Sequence, residues 1–89
     1  MLRRVQGQSM FPTLRSGQLV VAIRYCPKNL ANQVVIVNYG DREIIKRVKW
    51  FNNQKMFLIG DNPQFSQDSR LFGALDRDLF LGHVIWPRI

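Results

Sequence analysis

The feature that most limits how this chain can fold is its punctuation: short β-branched runs are separated by turn residues, and little of the chain is helical. "QLVVAIRY" (Gln18–Tyr25) follows the turn signal Ser16-Gly17. "QVVIVNY" (Gln33–Tyr39) closes on Gly40-Asp41, and "REIIKRVKWF" (Arg42–Phe51) is longer. Asn52-Asn53 then turn the chain into "KMFLIG" (Lys55–Gly60), which predicts a hairpin. Gly60 to Leu75 reads as a loop, Asp76–Phe80 as one helical turn, and Gly82–Trp86 as a closing strand ended by Pro87. The expectation is an all-β fold, mostly antiparallel, as a small barrel or folded sheet with at most one short helical turn.

A chain of 89 residues predicts one domain spanning 1–89. At this size folding buries somewhat over ~60% of the unfolded surface, enough for a single small core. An apolar fraction of 46% argues against disorder. Cys26 is the only cysteine, so no intramolecular disulfide forms, and it reads as a small buried hydrophobe. The longest uncharged stretch, Asn29 to Gly40, is far short of the ~20 residues a membrane helix needs. "MLRRVQG" has no apolar core of a signal peptide. Taken as the whole chain, the sequence predicts a soluble, cytoplasmic protein without a membrane partner. The net charge of +7 raises an acidic partner, but the basic residues are scattered rather than clustered.

Side chains alternate across a strand. In Arg42–Phe51 one face carries Ile44, Lys46, Val48 and Trp50, and the other carries Ile45, Arg47, Lys49 and Phe51. The second face meets solvent through its charges, and the first is apolar except for Lys46. Two readings of Lys46 follow. A buried amine loses its proton readily and becomes a general base near neutrality. An amine near an edge snorkels to water with its stem packed, which for an isolated strand is the commoner outcome.

"VQGQSMFPTL" (Val5–Leu14) sets Ser9 between Gln8 and Met10, with Pro12 three residues on. A serine hydroxyl needs a base to become a nucleophile. His83, the only histidine, would have to serve in a Ser-His-Asp triad. The elbow motif G-x-S-x-G fails at Phe11, and S-x-x-K fails at Pro12. A serine paired with a distant lysine remains.

These residues resemble the boxes of the signal peptidase I family. "GQSMFPTL" is similar to its nucleophile box, "IIKRV" to its lysine box, and "GDNPQFSQDSRLFG" (Gly60–Gly73) to its third box, in the family's order. LexA-like self-cleaving repressors share the serine-methionine pair and the later lysine but generally lack the third box. The resemblance implies a catalytic pair of Ser9 and Lys46, with Ser66 orienting the amine and Asp68 and Arg70 as a bracing charged pair. It implies that Asp61 and Asn62 begin the turn of the third box, and that Ile44 and Ile45 line the pockets for an extended substrate. It also implies a mostly β catalytic core with a cleft between sheets.

Several features depart from the family pattern. No membrane span precedes the first box, only Arg47 to Ile59 lies between the lysine box and the third box, and Gly7 stands where some members carry a hydroxyl for the oxyanion. The oxyanion hole then rests on the Ser9 backbone N–H. Gly7 leaves room for a substrate carbonyl, Pro12 biases Phe11 away from helix, and Met10 either packs or lines the cleft. Minimal length, "GDNP" and the Trp86-Pro87-Arg88 ending resemble the small anchor-free proteases that mature nickel-type superoxide dismutases. That resemblance implies a protein partner, the precursor of a nickel superoxide dismutase, cut so that its new N-terminus ligates nickel.

Rival readings stand beside this one. Trp50, Phe51 and Phe57, interleaved with Arg47, Lys49 and Lys55, fit a single-stranded nucleic-acid binder, although Trp50 on the apolar face reads as core. A self-cleaving repressor domain would keep the fold but needs an internal segment to cut. Asp61, Asp68, Asp76 and Asp78 read as solvated or salt-bridged charge rather than a metal site, and no cofactor is expected.

Overall fold

Seven strands form one continuous sheet in the computed structural model, which describes residues 1–89. They are β1 (Leu2–Arg4), β2 (Leu19–Ile23), β3 (Val34–Tyr39), β4 (Arg42–Phe51), β5 (Lys55–Ile59), β6 (Leu75–Asp76) and β7 (Phe80–Trp86). Their order is β1-β2-β7-β3-β4-β5-β6, and every neighbouring pair is antiparallel. The all-β expectation holds. Gly40, at φ +65°, makes the tight β3–β4 turn that a β-branched residue could not.

Several elements differ from the sequence reading. β1 has no apolar alternation to announce it; it exists because Leu2 pairs with Val21 and Arg4 with Leu19. The expected turn over Asp76–Phe80 is a 3-10 turn at Arg77–Leu79. Two further single turns lie inside the loop, a 3-10 turn at Pro63–Phe65 and α1 (Ser69–Phe72).

β3 explains the unbroken apolar run Val34–Val37, because both of its faces are buried. Val34 and Ile36 join a core with Val5, Met10, Leu14, Val20, Ala22 and Val84. Val35 and Val37 join a second core with Leu30, Val48, Met56 and Leu58. Each buried Val, Leu, Ile or Met among them contributes ~1.5–3 kcal/mol by leaving water. Cys26 is half-buried against the second core.

The face assignment in β4 holds only to Val48. A β-bulge between Val48 and Trp50 shifts the register against β5. Past it the phase inverts. Phe51 turns toward the second core, while Trp50 is 44% exposed and stacks on Phe57 with ring centroids 5.6 Å apart. The expectation that Trp50 shares a buried face with Ile44, Lys46 and Val48 is therefore corrected.

The bulge can be checked by truncation. Phe51→Ala should lower the unfolding free energy by roughly 2 kcal/mol in urea titration, and Trp50→Ala by clearly less. The reverse ranking would restore the unbroken phase.

Candidate active site

Pairing along β4 changes half way. Arg42 to Arg47 pair with β3 on one side, but β5 joins the other side only from Arg47, opposite Ile59. The outer edge of residues 42–46 is thus unpaired. It faces the segment from Arg3 to Met10 across a cleft of about 650 Å³. Ser9, Gly7, Met10, Ile44, Ile45 and Lys46 all line that cleft.

Lys46 does not snorkel. It is 5% exposed, and its Nζ donates to Ser66 Oγ at 3.3 Å. Burial pushes the amine below its ordinary value; the charge of Asp68 opposes this, and Arg42 and Arg70 reinforce it.

Ser66 in turn donates to Asp68 Oδ2 at 2.6 Å. Asp68 also accepts from the Gly60 N–H at 2.7 Å, the Arg70 N–H at 3.1 Å, Arg70 Nε at 2.9 Å and Arg70 Nη2 at 2.8 Å. Burial alone would raise its carboxyl. The hydrogen bonds from Arg70, Ser66 and Gly60 outweigh burial and hold it well below the usual carboxylate range. Beside it, Ser69 Oγ accepts from the Leu58 N–H at 2.9 Å. Two side chains of the third box thereby satisfy alternate N–H groups along β5 where no further strand pairs with it.

The turn after β5 clamps the serine loop. The Asn62 N–H donates to the Ser9 carbonyl at 2.8 Å and Asn62 Nδ2 to the Gln8 carbonyl at 3.0 Å. Asp61 takes a two-pronged contact from Arg47, both bonds 2.9 Å, and accepts from Thr13. Gly60 is required by space: a Cβ there would stand 2.2 Å from Ser66 Oγ and 2.6 Å from the Ser9 carbonyl oxygen. The Ser9 backbone is thus held beside Ser66, which in turn holds the Lys46 amine. The Ser9 N–H makes no hydrogen bond within the chain.

Gly7 is held at φ +82°, which favours glycine, and a Cβ there would meet open space. Ile44 and Ile45 are half-buried walls, one packing toward each core. Met10 is 1% exposed and belongs to the first core, so it forms the floor of the cleft rather than a free pocket wall. His83 lies elsewhere on the sheet and pairs with Gln33 at 2.7 Å, which removes the triad reading. Asp61 and Asp68 are held by arginines, and Asp76 by Lys55.

The sequence reading missed Gly60, Ser69 and the Arg47–Asp61 pair. Both Ser69 and Gly60 lie inside the quoted third box, but Gly60 has no side chain to draw attention and the Ser69 hydroxyl serves only the backbone of β5. Arg47 was placed on a solvent face, and the returning turn at Asp61 covers it.

The family described as Peptidase S24-like matches residues 1–76, most of the chain, and the chain belongs to that family. It is a serine peptidase of the superfamily that holds LexA-like and signal peptidase-like proteins. No curated protein matches it.

Because the Asp68 carboxyl is depressed in the folded state, its contribution to stability is complete above the ordinary value of 3.8 and declines as pH falls below it. Urea titrations at pH 6 and pH 3 should show a loss of stability in the wild type that is smaller in Asp68→Asn.

Proposed function

We propose that this member of the Peptidase S24-like family is an endopeptidase in which Ser9 is the nucleophile and Lys46 the general base. The observation that carries the reading is a buried lysine amine, bonded to Ser66, on the same cleft as a serine whose loop is clamped to the Ser66 box. The neutral Lys46 amine takes the Ser9 proton as Oγ attacks the substrate carbonyl. The Ser9 N–H donates to the oxyanion. The protonated amine then gives its proton to the leaving amine, and water, activated by the same lysine, hydrolyses the acyl-serine ester.

The supporting residues act through position. Ser66 holds the amine, Asp68 holds Ser66, and Arg70 keeps Asp68 ionised. The free edge of β4 at residues 42–46 supports binding of an extended peptide by strand addition, with side chains against Ile44 and Ile45 and the backbone passing Gly7.

For the substrate, the resemblance in the third box favours the N-terminal propeptide of a nickel superoxide dismutase precursor, processed in the cytoplasm. The family match is equally compatible with cleavage of other precursors or of the chain itself.

Activity should rise with pH along a limb set below the ordinary lysine value of 10.5. Lys46→Arg should be inactive because guanidinium stays protonated. Ser66→Ala should lower kcat about 10²-fold by loosening the aim of the amine. Lys46→Met should be inactive yet no less stable at neutral pH, since it removes the cost of a buried amine. An active Lys46→Arg would show that Lys46 supplies only charge.

Coexpression checks the substrate. A nickel superoxide dismutase precursor alone should keep its leader and hold no nickel. With this protein it should be trimmed and loaded, and with Ser9→Ala it should not. An untrimmed precursor beside folded wild type rejects this substrate. A cut within the protein's own chain instead would support self-cleavage.

A further inference from the structure

The cleft has a charge gradient. Both of its walls run in the same sense: one leads from Arg3 and Arg4 to Ser9, the other from Arg42 and Glu43 to Lys46. The chemistry lies at one end and the arginines at the other. Glu43 is the only acid of the lining, and Arg3 pairs it off across the cleft at 2.6 Å and 3.3 Å. Arg4 is exposed and donates to the Gly17 carbonyl at 2.6 Å, a neutral acceptor that leaves its charge uncompensated. Arg42 is exposed and its guanidinium makes no hydrogen bond within the chain, although its charge acts on Lys46.

We infer that the cleft selects peptides carrying a carboxylate about four residues from the scissile bond, received by Arg42 and Arg4. The inference rests on the peptidase reading of this cleft. The distance follows from the strand: at ~3.3 Å per residue, Arg42 lies about 13 Å along β4 from Lys46. An extended substrate paired with that edge advances by the same step, so its third to fifth residue from the cut passes the arginines. A peptide is favoured over a nucleic acid because the free edge offers alternating N–H and C=O groups, and a phosphodiester backbone has no N–H donors to answer them. The contact is remote from the reacting bond and is the same in ground state and transition state. It therefore acts on KM rather than kcat. For an exposed pair the preference is about fivefold, and it fades as salt screens it.

Digestion of a proteome-derived peptide library, with Ser9→Ala as the blank, tests this. Sequenced cuts should be enriched in Asp and Glu, and depleted in Lys and Arg, three to five residues from the scissile bond on one side. The enrichment should vanish at roughly 1 M salt, where the screening length is about 3 Å. Arg42→Gln should weaken it, and Arg4→Glu with Arg42→Glu should invert it. Arg88→Glu, exposed and outside the cleft, should leave it intact. Ser9-dependent cuts without acidic preference, or with a preference that ignores Arg4 and Arg42, overturn the inference and leave the peptidase reading standing. Single-stranded oligo-dT that binds through Arg4 and Arg42 more tightly than acidic peptides also overturns it. Absence of any Ser9-dependent cut by folded protein overturns both.

Discussion

One buried carboxylate organises the site. Asp68 is 1% exposed and would be expensive to keep charged without partners. Ser66, Gly60 and Arg70 supply them, and each partner belongs to a different function of the loop. Gly60 ties the loop to β5, Arg70 balances the charge, and Ser66 passes the constraint on to Lys46. A buried ion pair is weak evidence for stability, since an apolar group of the same shape often serves as well. Its retention here is better explained by aim. A carboxylate that accepts from five donors has one arrangement, and Ser66 inherits that arrangement.

Lys46 depends on the cores around it. β3 is buried on both faces, so the strand beside it carries its own apolar residues into two clusters. Lys46 pairs with Val35 of the second core, and its amine makes one hydrogen bond within the chain, to Ser66. Every buried side-chain polar atom finds a hydrogen-bond partner. The buried amine is therefore tolerated in a folded state that leaves no polar debt around it, and its depressed basicity follows from the same burial.

The proposed nucleophile and base stood out before the fold. Lys46 breaks an apolar face in a strand, and Ser9 sits in a string that fits neither a histidine elbow nor a local lysine motif. What was hidden depended on register. Alternation placed Trp50 inward because it assumes an unbroken pleat, and the bulge after Val48 adds the residue that inverts it. β1 was hidden because a three-residue strand of mostly charged residues gains its pairing only from β2. Gly60 was hidden because its role is the space it leaves, which is set by Ser66 and Ser9 from distant parts of the chain.

The sequence by itself determined the strand-rich class, which rests on local pattern, while the candidate nucleophile, base and third box rest on its resemblance to the boxes of the signal peptidase I family. Tertiary structure alone decided that β7 enters between β2 and β3, that β5 leaves the first half of β4 unpaired, and that Lys46 is buried at the cleft rather than snorkelling to bulk water. The physical reason is that burial and edge pairing are properties of what lies across from a residue. For residues 42–46, what lies across on the open side is a segment some forty positions earlier in the chain, and only folding brings the two walls of the cleft together.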